Sequence, residues 1–278
     1  MNLKTNNKLE FNGAYMGPPS SFSHQAAIQH FGEESKLIAC GSIPEVFKFT
    51  SENNNNFGVV PVENSNEGMV THTLDMFINS KVKIAAEIFL DIHLNLLSNS
   101  KLKEITTVYT IPIAFAQCKN WFVKNMPSVK VVDTYSTARA AEIVSNQVNT
   151  AAVAGILASK MYNLKIVANS IEDYAHNMTR FFVINNNTNE NITDSNSKTS
   201  ILFSIKDKAG ALYESLKPFR DAEINLTKIE SRPSKQKAWE YYFFVDFIGY
   251  ASDEKVKTAL NKLINHCNFV KVLGSYPV

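Results

Sequence analysis

The run NNNTNENITDSNS at residues 185–197 divides the sequence into two parts whose hydrophobic patterns differ. Ile192 is its one strongly apolar side chain, and a polar run of this kind between patterned segments is typical of a linker. We therefore expect a first domain over residues 1–184, a linker over residues 185–197 and a second domain over residues 198–278.

The part that follows this run predicts a small domain of strands and helices. Apolar residues at positions 212, 216 and 219, and again at 256, 260 and 263, each share one helical face, and Ser252 is predicted to cap the second helix. The resulting order, strand–helix–strand–strand–helix–strand, is the ferredoxin-like βαββαβ pattern. The strands are predicted at residues 200–205, 225–230, 239–247 and 270–273, with a polar turn at residues 234–237.

The part that precedes the run alternates helices with short apolar strands of the buried kind. Ser23 is predicted to cap a helix that runs to about Phe31, and Ser42 and Glu45 form a capping box for the next helix. Such alternation predicts an α/β fold with a mostly parallel sheet. A long extended stretch at residues 84–97 is predicted to connect two lobes. The other strands are predicted at residues 13–16, 37–40, 57–61, 107–110, 129–133, 151–154 and 181–184.

The composition argues against several classes of protein. The net charge of the 278 residues is +2, so no strong field favours nucleic acid or a membrane surface. No apolar run approaches the roughly 20 residues that cross a bilayer, and the first residues carry no apolar signal core. The three cysteines are scattered, and no metal-ligand spacing, P-loop or GxGxxG is present. We expect a cytoplasmic protein without a metal or nucleotide site.

Five short motifs occur in a fixed order along the chain. Three lie in the first part: GPPSSFS at residues 17–23, GVVPVENS at residues 58–65 and NMTRF at residues 177–181. Two lie in the tail: KDKAGAL at residues 206–212 and ESRP at residues 230–233. Together these motifs resemble prephenate dehydratases that carry a C-terminal ACT domain. The resemblance implies a two-lobed, periplasmic-binding-protein-like α/β catalytic domain followed by a ferredoxin-like ACT regulatory domain.

The chain departs from the family pattern at four positions. Ser20 and Ser21 stand where the family has Gly and Thr, so a hydroxyl is kept while the backbone freedom of glycine is lost. Ile111 and Ile113 replace a polar His and Gln. Any substrate contact that those polar side chains make in the family is absent or replaced here.

The resemblance implies that the substrate is prephenate, which gives phenylpyruvate, water and carbon dioxide. Because an aromatic ring forms without a redox step, no cofactor is expected. Positioning and oriented hydrogen-bond donors suit such a reaction. The resemblance makes Thr179 the catalytic residue that assists the leaving hydroxyl. The alternative is a threonine at a strand end whose hydroxyl satisfies local backbone groups.

The residues predicted to bind substrate follow strands or begin helices, where open α/β sheets place ligands and helix N-termini attract anions. Arg180 is interpreted either as a carboxylate ligand or as a structural arginine paired with Glu63 or Asp173. The hydroxyls at helix starts, and Asn64 with Ser65, are equally well explained as helix caps. The full predicted set is Ser21, Ser23, Asn64, Ser65, Ser136, Thr137, Arg180 and Phe181.

In the tail, the resemblance implies a site for phenylalanine between two subunits, and feedback inhibition by phenylalanine is our hypothesis for its use. The alternative is a tail that only dimerises. We expect a homo-oligomer, either a dimer or a tetramer. The residues implied for the effector site are Gly210, Ala211, Leu212, Asn225, Leu226, Glu230, Ser231, Arg232 and Pro233.

Two other functions stay open at this point. The first is the same chemistry on arogenate, whose extra amino group favours an acidic partner that the motifs do not identify. The second is a two-lobed binding protein with an ACT sensor and no catalysis, because a fold does not fix a function. Turnover of each substrate distinguishes the three.

Overall fold

The computed structural model describes residues 12–187, 197–234 and 240–278. Within these residues the helices are α1 (Phe22–Phe31), α2 (Ile43–Glu52), α3 (Thr71–Asn79), α4 (Pro112–Gln117), α5 (Lys119–Asn125), α6 (Thr137–Ser145), α7 (Ile156–Met161), α8 (Ala211–Asp221) and α9 (Glu254–His266). The strands are β1 (Asn12–Met16), β2 (Leu37–Cys40), β3 (Asn56–Asn64), β4 (Gly68–Met69), β5 (Lys83–Asp91), β6 (Asn95–Ser98), β7 (Thr107–Thr110), β8 (Lys130–Asp133), β9 (Thr150–Ala154), β10 (Lys165–Ala168), β11 (Met178–Asn185), β12 (Ser197–Ile205), β13 (Leu226–Pro233), β14 (Tyr241–Ile248) and β15 (Cys267–Pro277).

The first sheet has the strand order β2-β1-β3-β11-β5, and the short strand β4 forms a hairpin with β3. β1 and β2 are parallel, with Gly13 opposite Leu37. The prediction of a short buried strand at residues 37–40 is right in its bounds and wrong in its burial. β2 lies at the edge of the sheet, and Ile38 is 46% exposed.

The second sheet has the strand order β10-β6-β9-β7-β8. β7 is parallel to β8 and β9, whereas β6 is antiparallel to β9 and β10, so the expected mostly parallel sheet is mixed here. Its hydrophobic core includes Ala140, Ala141 and Val144 of α6, which are fully buried. The extended stretch predicted at residues 84–97 is confirmed as β5 and β6, which belong to different sheets.

The third sheet is antiparallel, with the strand order β13-β14-β12-β15. It follows the predicted βαββαβ order, and α8 and α9 pack on it. The core between sheet and helices contains Phe203, Phe219, Phe247 and Leu263, all fully buried. The predicted polar turn at residues 234–237 lies outside the described residues from its second position onward.

The described chain forms two compact units. One contains the residues up to Val46 together with Gly58–Val70 and Ile88–Phe181. The other contains Phe47–Phe57, Thr71–Glu87 and the residues from Phe182 onward.

The ends of the predicted linker belong to strands. Asn185 is the last residue of β11, where its side chain is buried and donates to the carbonyls of Asn54 and Asn56. Ser197 is the first residue of β12. The polar sequence did not predict these strand ends, because sequence alone does not distinguish a buried Asn that donates to backbone carbonyls from an Asn in a loop. Residues 188–196 lie outside the described part, and the domain bounds stay a prediction.

Within the second unit, the third sheet lies against β5 and α3. Lys198 of β12 and Glu87 of β5 form an ion pair at 2.6 Å, with side chains 11% and 3% exposed. Lys271 of β15 donates to the carbonyls of Phe77 and Ser80 at the end of α3. Since the last carbonyls of a helix lack partners within the helix, this lysine satisfies groups that would otherwise be left open.

Two predicted helix caps need correction. Ser21, and not Ser23, caps α1, because the Ser21 hydroxyl accepts from the backbone N–H of His24. α9 is preceded by Asp253 as its N-cap residue, one position later than the predicted Ser252. The capping interaction of Ser42 with Glu45 at the start of α2 is confirmed.

Candidate functional site

Thr179 lies on β11 beside the end of β3. The side-chain amide nitrogen of Asn64, the last residue of β3, donates to Thr179 Oγ1 over 2.9 Å and to Asn177 Oδ1 over 2.7 Å. β3 and β11 are neighbours in the first sheet, so the motifs at residues 58–65 and 177–181 meet in space. Thr179 is half-buried.

A hairpin turn holds the side chain of Asn64. Its Oδ1 accepts from the backbone N–H of Asn66 over 2.9 Å and of Glu67 over 3.1 Å. The chain then returns as β4, and Gly68 has a φ of 81°, which suits glycine. The interpretation of Asn64 as a helix cap is therefore wrong, because the next helix, α3, begins only at Thr71.

Ser65 joins the hairpin turn to the strand that carries Thr179. Its backbone N–H donates to the carbonyl of Met178 over 2.9 Å, and its hydroxyl accepts from the N–H of Met178 over 3.0 Å. The same hydroxyl donates to the carbonyl of His176 over 3.2 Å. Ser65 thus fixes the position of the two chain segments that present Asn64 and Thr179.

Gln117, the last residue of α4, extends this polar cluster, and the sequence interpretation did not single it out. Its Nε2 donates to Glu67 Oε1 over 2.9 Å, and its Oε1 accepts from Asn177 Nδ2 over 3.1 Å. The side chains of Glu67, Gln117, Asn177, Asn64 and Thr179 consequently form one continuous chain of hydrogen bonds. In sequence Gln117 is only a glutamine beside Cys118, and nothing local identifies its partners.

Arg180 and Phe181 are placed by the alternation of β11. Neighbouring side chains of a strand point to opposite faces, so Arg180 lies on the face opposite to Thr179. Arg180 is 6% exposed and Phe181 is 1% exposed. Asp173, one proposed partner of Arg180, accepts from the backbone N–H groups of Asn120 and Trp121 at the start of α5.

The four predicted hydroxyl residues at helix starts lie outside the hydrogen-bonded chain. Ser21 caps α1, and Ser136 caps α6 by accepting from the N–H of Arg139 over 3.0 Å. Ser23 and Thr137 lie in the first turns of the same helices and are largely buried. The capping interpretation therefore holds for the two cap residues, and a helix start that is capped can still attract an anion.

The first motif has an unusual backbone at Ser20, which stands where the family has glycine. Ser20 is buried and has a φ of 67°, in the left-handed region that favours glycine. Its N–H donates to His24 Nδ1 over 3.1 Å, and the His24 ring stacks on Tyr15 with 4.4 Å between centroids. Burial lowers the pKa of His24. Burial, and then the proximity of Cys40 and Tyr162, raises the pKa of Tyr15 to about 12.

The predicted effector residues lie in two segments of the last domain. Gly210, with a φ of 78°, precedes α8, and Ala211 and Leu212 form the first turn of that helix. The carbonyl of Asn225, just before β13, accepts from the N–H of Ile248. Within β13, where Leu226 is the first residue, half-buried and exposed side chains alternate. The remaining predicted residues, Glu230, Ser231, Arg232 and Pro233, all belong to β13.

Among the described residues, no group of three or more His, Cys, Asp or Glu side chains is placed to hold a metal ion. In the same part of the chain, no helix has the length and apolar character needed to cross a membrane.

Residues 14–189 match the prephenate dehydratase family. The chain belongs to this family. Residues 199–265 match the ACT domain, so the dehydratase part is followed by a regulatory module of the predicted kind. The predicted family and enzyme class, a lyase, are confirmed.

Relatives and a solved structure support the same assignment over almost the whole chain. The bifunctional chorismate mutase/prephenate dehydratase of Aquifex aeolicus is 48% identical over 95% of this chain and 73% of its own length. The prephenate dehydratase of Methanocaldococcus jannaschii is 41% identical over 95% of this chain and 97% of its own. The structure of prephenate dehydratase from Arthrobacter aurescens in complex with L-Phe is 28% identical, with a TM-score of 0.89 over 96% of this chain and 90% of that one. The predicted fold class is thereby confirmed.

Proposed function

We propose that this dehydratase converts prephenate into phenylpyruvate, water and carbon dioxide at Thr179. The observation that carries the proposal is the hydrogen bond from Asn64 Nδ2 to Thr179 Oγ1, which joins the two family motifs around one half-buried hydroxyl. A hydroxyl in this setting is a hydrogen-bond donor and acceptor of fixed position, which is what a departing hydroxyl group requires.

The reaction needs a hydrogen-bond donor for the oxygen of the leaving hydroxyl group. It also needs the ring carboxylate to depart without the electron pair of its bond to the ring. The bond between the ring carbon and the hydroxyl oxygen breaks, and so does the bond between the ring and its carboxylate. The second bond leaves its electron pair in the ring, which becomes aromatic, and the carboxylate departs as carbon dioxide. The hydroxide takes up a proton from solvent water and departs as water. Thr179 is a poor acid, so its part is a hydrogen bond to the departing oxygen that strengthens as charge develops there.

The substrate is a dianion, and its two carboxylates are proposed to meet the starts of α1 and α6. Each start presents free backbone N–H groups and the positive end of a helix dipole. Ser21 and Ser136 orient these starts through their capping hydrogen bonds. Ser23, Thr137, Asn64 and Ser65 are retained as candidate ligands. Arg180 and Phe181 were also predicted to bind substrate. Because both are buried, we propose instead that they support the strand that carries Thr179.

Turnover of purified protein tests the proposal. Phenylpyruvate is expected to form from prephenate, and the rate of phenylalanine formation from arogenate is expected to be much lower. Thr179→Ala is expected to bind prephenate and to lose most of its turnover. Preferential use of arogenate would replace the proposed substrate, and prephenate binding without any product would favour a sensor without catalysis.

We further propose that L-phenylalanine binds the ACT domain and inhibits the enzyme, and that the chain acts in the cytoplasm as a dimer or tetramer. The support is the ACT match together with the L-Phe complex of the Arthrobacter aurescens relative. Inhibition requires that phenylalanine binds one global state of the protein more tightly than another. The proposed site comprises Gly210, Ala211, Leu212, Asn225, Leu226, Glu230, Ser231, Arg232 and Pro233.

Equilibrium binding and activity measured on the same preparation test this regulation. Saturating phenylalanine is expected to lower prephenate turnover, and a Gly210→Val substitution at the start of α8 is expected to weaken both binding and inhibition. Turnover that stays constant at saturating phenylalanine would refute the regulatory proposal while leaving the catalytic one intact. Sedimentation of the protein with and without phenylalanine reports the oligomer.

A further inference from the structure

We infer that Glu67 is a positioning residue for the dehydratase reaction. Through Gln117, Asn177 and Asn64, its carboxylate sets the direction of the hydrogen bonds that end at Thr179. This inference rests on the proposed function, because it assigns a task to a residue at the same site. Glu67 is exposed on the hairpin turn after β3 and is the only ionisable side chain of the hydrogen-bonded chain described above.

The direction of the chain follows first from its carboxylate end. An ionised carboxylate only accepts hydrogen bonds, so Gln117 must turn its Nε2 toward Glu67. This turns Gln117 Oε1 toward Asn177, which must present its Nδ2. Asn177 therefore turns its Oδ1 toward Asn64, and Asn64 must in turn present its own Nδ2.

The direction follows independently from the other end. The backbone N–H groups of Asn66 and Glu67 both point at one atom of the Asn64 side chain, which must be the oxygen because an N–H only donates. Asn64 therefore offers Nδ2 to Asn177 and Thr179. Both ends of the chain demand the same orientation of all three amides, so a single arrangement satisfies every group.

The consequence for chemistry lies at Thr179. Since Asn64 Nδ2 donates, Thr179 Oγ1 accepts, and the hydrogen of the Thr179 hydroxyl is left to point elsewhere. That hydrogen is then available to the hydroxyl oxygen that leaves the substrate ring. A threonine that instead donated to its protein neighbour would offer the leaving group a lone pair and would oppose the developing negative charge.

Glu67 matters because an amide of Gln117 has two orientations that differ little in shape. Without an acceptor that cannot donate, the flipped Gln117 would place Nε2 against Asn177 Nδ2, and two donors would then face each other. Asn177 would have to rotate away or flip in turn, which disturbs its contact with Asn64. The carboxylate removes this alternative from one side, while the hairpin N–H groups remove it from the other.

The test exchanges donor and acceptor in the hydrogen bond between Gln117 and Glu67. Glu67→Gln removes the obligatory acceptor, and Gln117→Glu places a second carboxylate beside Glu67. The double variant Glu67→Gln/Gln117→Glu restores one amide and one carboxylate in reversed order, and the carboxylate that it places on α4 still accepts from Asn177. Glu34→Gln, the same exchange at an exposed position of the turn between α1 and β2, is the matched control. Phenylpyruvate formation gives kcat and KM for each, and thermal unfolding reports whether each is folded.

Wild-type enzyme must turn over prephenate, and its failure to do so would refute the proposed function and with it the present inference. With active wild type, Glu67→Gln is expected to lower kcat by about tenfold with KM nearly unchanged, because misplacing a catalytic group costs rate rather than binding. Gln117→Glu is expected to lower kcat further than Glu67→Gln does. The double variant is expected to have a kcat at least about tenfold higher than that of Gln117→Glu. Glu34→Gln is expected to have the kcat and KM of wild type.

Two results would overturn the inference while leaving the proposed function standing. One is a Glu67→Gln enzyme with wild-type kcat. The other is a folded double variant no faster than Gln117→Glu, since a purely structural role of Glu67 in the turn gives no reason for rescue from α4. If Gln117→Glu does not fold, Glu67→Ala takes its place, and a kcat equal to that of wild type counts against the inference in the same way.

Discussion

Asn64 and Thr179 share a hydrogen bond of 2.9 Å although 115 positions separate them in sequence. The pairing of β3 with β11 in the first sheet explains the proximity, and the hairpin turn after Asn64 explains the orientation of its amide. Each of the two short motifs has little predictive value alone. They form one polar site because neighbouring strands of a sheet bring residues that are distant in sequence side by side at the strand ends.

The Thr179 hydroxyl is expected to matter more than the shape of its side chain. Thr179→Val keeps the shape, removes the donor, and is expected to lower kcat by about 10²–10⁴-fold. Thr179→Ser keeps the hydroxyl and is expected to retain more than a tenth of the wild-type kcat. Steady-state rates of phenylpyruvate formation measure both, and Thr258→Ala, at an exposed position of α9, is the control. Equal rates for the valine and serine variants would remove the hydroxyl from the mechanism.

Ser20 is expected to lower the free energy of unfolding relative to a glycine at the same position, because of its backbone conformation. At a φ of 67°, a residue that carries a Cβ destabilises the folded state by about 1 kcal/mol or more relative to glycine. Glycine in turn costs about 0.5 kcal/mol, because its unfolded chain has more conformational entropy to lose. Ser20→Gly is therefore expected to raise the free energy of unfolding by roughly 0.5–1 kcal/mol. Urea denaturation measures the change. Ser20→Ala keeps the strain and serves as the control, so an equal gain from alanine would point to the hydroxyl rather than the backbone.

His24 is expected to make stability depend on pH on the acid side of neutrality. Burial lowers the pKa of His24 in the folded state, and its Nδ1 is already occupied as an acceptor from the Ser20 N–H. As pH falls below about 6.5, the unfolded chain takes up a proton that the folded protein resists, so the free energy of unfolding falls until the folded pKa is reached. His24→Gln keeps an acceptor that does not titrate. Urea denaturation at about pH 7.5 and about pH 5.5, on either side of the ordinary histidine pKa, is expected to show a smaller decrease for this variant than for wild type.

The order of elements was predictable because periodicity and turn residues are local signals. The βαββαβ order of the last domain follows from two helical faces and four strands that can be read in windows of about ten residues. The edge position of β2 was not predictable, since an apolar run of four residues looks the same in the centre of a sheet and at its margin. The choice of Ser21 over Ser23 as cap depends on the path of the chain through residues 17–20, which no window shows.

The site was predictable only where a motif carried it. Thr179 and Asn64 were found through the resemblance, and their contact follows from the sheet. The link from Glu67 to Gln117 spans 50 positions and joins a hairpin turn to the end of a helix. Single-sequence patterns hold no information about such a pair, because an exposed Glu on a turn and a Gln at a helix end are among the commonest surface residues.

The buried ion pair of Lys198 and Glu87 gives the sharpest stability prediction for the second unit. The two side chains are 11% and 3% exposed and lie 2.6 Å apart, so each charge has exchanged water for its partner. Removing one charge leaves the other in a poorly solvated place, and Glu87→Leu or Lys198→Met alone is expected to destabilise the fold by about 3 kcal/mol. Removing both charges with Lys198→Met/Glu87→Leu also removes the cost of burying them. The free energy of unfolding of this double variant is therefore expected to lie within about 1–2 kcal/mol of that of wild type.

An exposed ion pair provides the control for this buried one. Lys217→Met, at the pair with Asp221 on α8, is expected to change the free energy of unfolding far less than either single substitution at the buried pair, because water already solvates both charges. Free energies of unfolding from urea denaturation give the coupling between the two buried positions. A double variant as unstable as the sum of the two single variants would mean that Lys198 and Glu87 act independently, and the short distance between them would then have no energetic meaning.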